Sequence, residues 1–94
     1  MGDGRMVRYR LLVAGMVQGV GFRYYVNYTA RLLQLTGWVR NLEDGEVEIE
    51  VQGPAGEVDQ FLAAVRQGNR YAQVDEVRVK RLEPVLEHGF EVVG

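Results

Sequence analysis

The chain predicts an α+β fold, an antiparallel sheet with two helices on one face. Three observations carry this. Apolar residues alternate with others in short runs, most cleanly where Val47, Ile49 and Val51 alternate with Glu46, Glu48, Glu50 and Gln52. Two other stretches repeat at helical intervals: Phe22, Val26, Ala30 and Leu33, then Val58, Phe61, Leu62 and Val65. The runs follow one another as β-α-β-β-α-β, with no linker, repeat or low-complexity segment between them.

Residues 1–5 are small and polar, and a loose end is expected there. From Met6 to Val13, the alternation of Val7, Tyr9, Leu11 and Val13 predicts a strand. Leu12 and Ala14 make its other face apolar too, which predicts a central position in the sheet. A glycine-rich loop follows, then a helix from Phe22 to Leu33, ended by Thr36-Gly37. Trp38 to Asn41 predicts a second strand, and Glu43-Asp44-Gly45 a hairpin turn. The third strand alternates through Val47, Ile49 and Val51 until Gly53-Pro54 breaks it, so Glu46, Glu48 and Glu50 are expected to form a solvated face. The second helix is closed by Gly68-Asn69. Val74, Val77 and Val79 predict a last long strand, and Phe90 and Val92 a short terminal piece. This order matches a split β-α-β, or ferredoxin-like, sandwich, written βαββαβ.

Length and composition narrow the function classes. Residues 1–94 are expected to form a single domain, 47% hydrophobic and 26% charged, which suits a small soluble globule. Cysteine is absent, which excludes disulfides and thiolate metal sites. His88 is the only histidine, so a multi-histidine metal site is excluded, and a surface loop is expected around it. A net charge of -2 and a pI of about 5.4 count against nucleic acid as the main partner. No apolar run is long enough to span a membrane and no signal-peptide pattern opens the chain, so a cytoplasmic location is expected.

The most informative segment is Gly15-Met16-Val17-Gln18-Gly19-Val20-Gly21-Phe22-Arg23. Its glycines permit positive φ and a close backbone approach to a ligand. The loop opens a helix, whose first N–H groups lack intrahelical partners and form the positive end of its dipole. Arg23 adds a forked cation suited to phosphate oxygens. Together these read as a phosphate cradle. A nucleotide P-loop would need Gly-Lys-Ser/Thr, which is missing, and a dinucleotide fingerprint would need a glycine where Tyr24 stands. A tight turn with a surface arginine is the plain alternative.

A second segment, Gly37-Trp38-Val39-Arg40-Asn41-Leu42-Glu43-Asp44-Gly45, crosses the same sheet and can bring Asn41 near Arg23. Asparagine is no base, but it has the donors and acceptor to orient a water beside a bound phosphate. Otherwise Asn41, like Asp44, is a turn residue. Trp38 is expected to pack beside the site. Tyr24, Tyr25 and Tyr28 are expected at the core and rim of the first helix, since RNA-stacking platforms of this fold lie on the sheet.

Val13-x-Gly15-x-Val17-Gln18-Gly19-Val20-x-Phe22-Arg23 resembles the signature loop of the acylphosphatases. Gly37-Trp38-Val39-Arg40-Asn41, with Gly45-x-Val47 and Gly53, resembles that family's second signature. The likeness runs from about Met6 to the end of the chain. It implies a ferredoxin-like sandwich that hydrolyses the carboxyl–phosphate bond of acyl phosphates, with no metal or other cofactor. By similarity, the backbone N–H groups of Val17, Gln18, Gly19, Val20, Gly21, Phe22 and Arg23 bind the phosphoryl group, together with the Arg23 side chain. Asn41 orients the attacking water. The implied partners are a small-molecule acyl phosphate, and inorganic phosphate as product and competitive inhibitor, with no nucleic acid and no membrane; a monomer is expected. The alternative is a non-catalytic phosphate-binding module of the same fold. One departure is Met16, where many members carry Arg or His. The chemistry suits the analogy: acyl phosphates are activated anhydrides, so positioning and charge stabilisation can carry most of the catalysis.

Overall fold

The computed structural model describes residues 4–94. They form β1 (Met6–Met16), α1 (Phe22–Leu32), β2 (Thr36–Asn41), β3 (Val47–Pro54), α2 (Ala55–Gln67), β4 (Gln73–Leu82) and β5 (Phe90–Val92). The sheet order is β4-β1-β3-β2-β5, which places β1 inside the sheet as its two apolar faces predict. Neighbouring residues along a strand point to opposite faces. Val7, Leu11 and Val13 of β1 therefore share the helix-facing side with Ile49 and Val51 of β3 and with Val39 of β2. There they meet Phe22, Val26 and Ala30 of α1 and Val58, Phe61 and Val65 of α2, all of them buried. The expected ferredoxin-like arrangement of two helices and an antiparallel βαββαβ sheet is the one observed, with one addition.

That addition is β5, the short terminal piece expected at Phe90 and Val92, which joins the sheet as a fifth strand. It pairs with β2 in parallel, so the sheet is mixed at this edge. After β4 the chain crosses the face that carries no helix and reaches the free edge of β2. Arg31 of α1 donates to the Phe90 carbonyl at 2.9 Å and holds the edge strand from the helix side.

Several boundaries differ from the expectation. β1 runs past Val13 to Met16, taking Gly15 and Met16 out of the loop, and α1 ends at Leu32 rather than Leu33. β2 begins at Thr36, before Trp38, because Gln34 takes a positive φ of 57° and reverses the chain at once. Gly37 lies inside that strand, and a Cβ there would overlap the Glu50 carbonyl oxygen. Gly53-Pro54 ends β3 without a break, and Pro54 itself caps α2, which starts at Ala55 rather than near Val58. Residues 1–3 of the expected loose end lie outside the described residues; Arg5 is engaged, its carbonyl accepting from the Ala55 N–H at 3.0 Å.

The glutamate face also departs from expectation. Glu48 is 4% exposed, not solvated. The sheet register sets it among arginines: Arg10 lies within 2.6 Å and Arg40 within 2.7 Å of its carboxylate oxygens. Beside it, buried Arg8 binds Glu50, Gln52 and Glu87, and Gln52 exchanges two hydrogen bonds with the Val85 backbone. The connection from β4 to β5 is thereby strapped across the sheet. An isolated strand shows only the alternation; the cations arrive from its two neighbours.

Burial alone would raise the Glu48 pKa, but hydrogen bonds and charge from Arg10 and Arg40 outweigh it and hold the group below its ordinary value of 4.5. A depressed carboxylate stabilises the fold above its unfolded pKa and loses that contribution as pH falls through the lowered native value. Glu48→Gln is therefore expected to cost about 1–3 kcal/mol near neutrality, less than a fully buried pair because both arginines are partly exposed. Denaturant midpoints of the two proteins should converge between about pH 5 and about pH 2. A gap that stays constant over that interval would contradict the ion-pair account.

Candidate active site

The register brings three connections to one end of the sheet. β1 and β2 finish there, and β3 and β4 begin there, since Asn41 pairs with Val47 and Met16 with Gln73. The loop 17–21, the hairpin 42–46 and the connection 68–72 therefore cluster. Two long-range side-chain contacts fasten them. Gln18 donates from Nε2 to the carbonyls of Leu42 at 2.8 Å and Glu46 at 2.9 Å. Asn69 donates from Nδ2 to the Val20 carbonyl at 2.8 Å.

The loop is pinned at both ends by burial. Val17 and Phe22 are each 1% exposed and belong to the core. Between them Gly19 and Gly21 stand in left-handed conformations, with φ of 73° and 79°. Gly21 caps α1 and offers no side-chain acceptor, so the first N–H groups of the helix are left for another partner. No acidic residue occupies the first turn; Arg23 does. A cation at the positive end of a helix is electrostatically unfavourable unless an anion joins it. Arg23 is half-buried and forms no ion pair or hydrogen bond among the described residues. Here the two local features, free N–H groups and a forked cation, point to the same ligand charge.

Val17, Gly19, Gly21, Phe22, Arg23 and Tyr24 line a concave pocket of about 240 Å³. Tyr24, expected at the core or rim, is an exposed wall of this pocket, whereas Tyr25 turns inward and its hydroxyl donates to the Ala64 carbonyl at 2.9 Å. Gln18, Val20 and Asn41 are not part of the pocket wall. Asn41 ends β2 on the same face as Val39, and its Oδ1 is buried without a hydrogen-bond partner among the described residues. An unpaired buried acceptor is costly and marks a place where a water or ligand donor belongs. Gln18 ties the loop to Leu42, the residue after Asn41.

Other candidates resolve simply. Asp44 is the turn residue expected, its Oδ1 accepting from the Glu46 N–H at 2.9 Å. His88 is exposed in the strap between β4 and β5. Trp38 is half-buried on the opposite face of the sheet, not beside the pocket, with the Arg40 guanidinium 5.4 Å from its ring centroid. It falls there because it alternates with Val39, which faces the helices. A second hollow, lined by Arg66, Val74, Asp75, Glu76 and Val77, carries two carboxylates and does not suit a phosphate. Sequence reasoning missed the side-chain roles of Gln18 and Asn69; their partners lie 24 to 49 residues away, and no local signal announces them.

Comparison with known proteins gives a consistent result. The family model described as Acylphosphatase matches residues 9–92. The acylphosphatase of Moorella thermoacetica is 51% identical over 87 residues, covering 93% of this chain and 94% of that protein. The acylphosphatase of Clostridium beijerinckii is 49% identical over 82 residues, covering 87% and 90% respectively. Among solved structures, the crystal structure of acylphosphatase from Bacillus subtilis superposes with a TM-score of 0.90 at 39% identity, covering 94% of this chain and 99% of that one.

Proposed function

The chain belongs to the acylphosphatase family, and we propose that its pocket at the start of α1 binds the phosphoryl group of an acyl phosphate while Asn41 holds the attacking water. The reaction is hydrolysis of the carboxyl–phosphate bond to carboxylate and inorganic phosphate. The observation that carries the site assignment is the pairing of an open helix N-terminus with unpartnered Arg23 in one pocket. Matches that span nearly the whole of curated relatives favour an enzyme over a non-catalytic anion-binding module.

In the proposed mechanism the phosphoryl oxygens take hydrogen bonds from the backbone N–H groups of residues 17–23 and from the Arg23 fork. The Asn41 amide, whose Oδ1 is buried, fixes a water for in-line attack on phosphorus. As the new P–O bond forms, the bond from phosphorus to the bridging oxygen breaks. The carboxylate leaves with that oxygen and both electrons. A non-bridging phosphoryl oxygen takes the proton from the water, since neither signature segment supplies a general base. Arg23 and the N–H groups meet charge that develops in the transition state, where fixed donors act most strongly. No step is routed through a metal, and turnover is expected to persist in EDTA. A cytoplasmic monomer is part of the proposal.

Inorganic phosphate tests the site directly. It is expected to inhibit competitively, and to shift the backbone amide resonances of Val17 to Arg23 and of Asn41 on titration. Non-competitive inhibition, or shifts concentrated at the acidic hollow around Asp75 and Glu76, would contradict the assignment.

A further inference from the structure

We propose that Asn69 is a positioning residue for phosphoryl binding: its hydrogen bond to the Val20 carbonyl aims the Gly21 N–H into the cradle. The proposal rests on the phosphate-binding reading above. It starts from one contact, the 2.8 Å bond from Asn69 Nδ2 to the Val20 oxygen. The peptide from Val20 to Gly21 is trans and planar, so its C=O and N–H point in opposite directions. Fixing the carbonyl toward Asn69 therefore directs the Gly21 N–H away from Asn69. Gly21 belongs to the pocket wall and Asn69 does not.

The tether has work that the loop cannot do alone. Gly19 and Gly21 flank Val20, and both stand in left-handed conformations that carry little penalty for glycine. The same freedom lets the intervening peptide turn over at low cost. A reversed peptide would present the Val20 carbonyl to an anion and withdraw a donor. Glycine thus permits the cradle without specifying it, and a donor outside the loop selects the useful orientation.

Asn69 is itself well placed for this. It sits in the connection between α2 and β4, just after Gly68, whose N–H closes α2 on the Ala64 carbonyl at 3.0 Å. Its own carbonyl accepts from the Ala72 N–H at 3.2 Å. The side chain therefore projects from a hydrogen-bonded turn, not from a free loop. Its Oδ1 is buried without a partner among the described residues. Reversing the amide would set that oxygen against the Val20 oxygen, so the donor orientation is the stable one.

The test compares wild-type protein with Asn69→Ala and Asn69→Asp, reading the dissociation constant of inorganic phosphate. Ala removes the donor, and phosphate binding is expected to weaken by about three- to tenfold, with a displaced Gly21 amide resonance. Asp sets a carboxylate against the carbonyl, and a larger loss is expected near neutrality. In acid the protonated Asp can again donate, so its deficit relative to wild type should shrink as pH falls, while that of Ala should not. A purely structural role would lower the denaturation midpoint without this pH signature. Phosphate affinities within twofold of wild type in both variants would overturn the proposal. So would an Asp deficit that does not change with pH. Should neither variant fold, the unsubstituted protein decides. Its Asn69 side-chain amide resonances are expected to shift on phosphate titration; if they stay fixed while Gly21 and Arg23 respond, the tether has no part in binding. If no loop amide responds in the unsubstituted protein, the phosphate-binding reading falls, and the inference with it.

Discussion

Arg23→Ala is expected to lower kcat/KM for an acyl phosphate by on the order of 10²–10³ or more, with the fold intact. The size follows from the absence of a substitute. Among the described residues Arg23 is the one cationic side chain in the pocket wall, and the remaining donors proposed for the anion are neutral N–H groups. Charge-assisted bonds are about twice as strong as neutral ones, and the difference grows as charge develops on the phosphoryl oxygens. Stability should move the other way. The side chain forms no ion pair among the described residues and stands at the positive end of α1. Its removal relieves a repulsion worth roughly 0.3–1 kcal/mol, so the midpoint should hold or rise slightly. Lysine should rescue poorly, since it lacks the planar fork. Hydrolysis of benzoyl phosphate, with denaturation curves on the same preparations, checks both halves. A folded Ala variant with near wild-type kcat/KM would sink the assignment of Arg23.

Asn41→Ala is expected to lower kcat by about 10² while changing the inhibition constant of phosphate by no more than about threefold. The asymmetry comes from role. In the proposed mechanism the anion is held by the loop and Arg23, in a pocket whose wall excludes Asn41. Asn41 instead offers an amide with a buried, unpaired oxygen, the fitting partner for a water. Alanine removes the means of orienting that water and leaves the anion site alone. The fold should tolerate the change to within about 1 kcal/mol, because the backbone of Asn41 keeps its ladder position opposite Val47 and no side-chain hydrogen bond is lost. Equal loss of kcat and phosphate affinity would make Asn41 a binding or structural residue and would overturn the mechanism.

Part of this protein is legible one window at a time. Helical spacing at Phe22, Val26 and Ala30 and alternation at Val47, Ile49 and Val51 are consequences of local backbone geometry, and the buried residues follow them. The candidate cradle is likewise local, since two left-handed glycines, a helix start and Arg23 fall within a few residues of one another. For that reason the sequence by itself determined the fold class, the element order, the family and the candidate phosphate loop. Tertiary structure decided whatever depends on register and on distant partners. Glu48 alternates like a solvated residue, but its burial is set by arginines on β1 and β2. Trp38 reads as a neighbour of the site, but the pleat turns it to the other face. The parallel β5, the strap that leads to it, and the tethers from Gln18 and Asn69 are all contacts across long loops. Such contacts leave no periodic mark, because a hydrogen bond between distant residues constrains each of them to a polar side chain and nothing more.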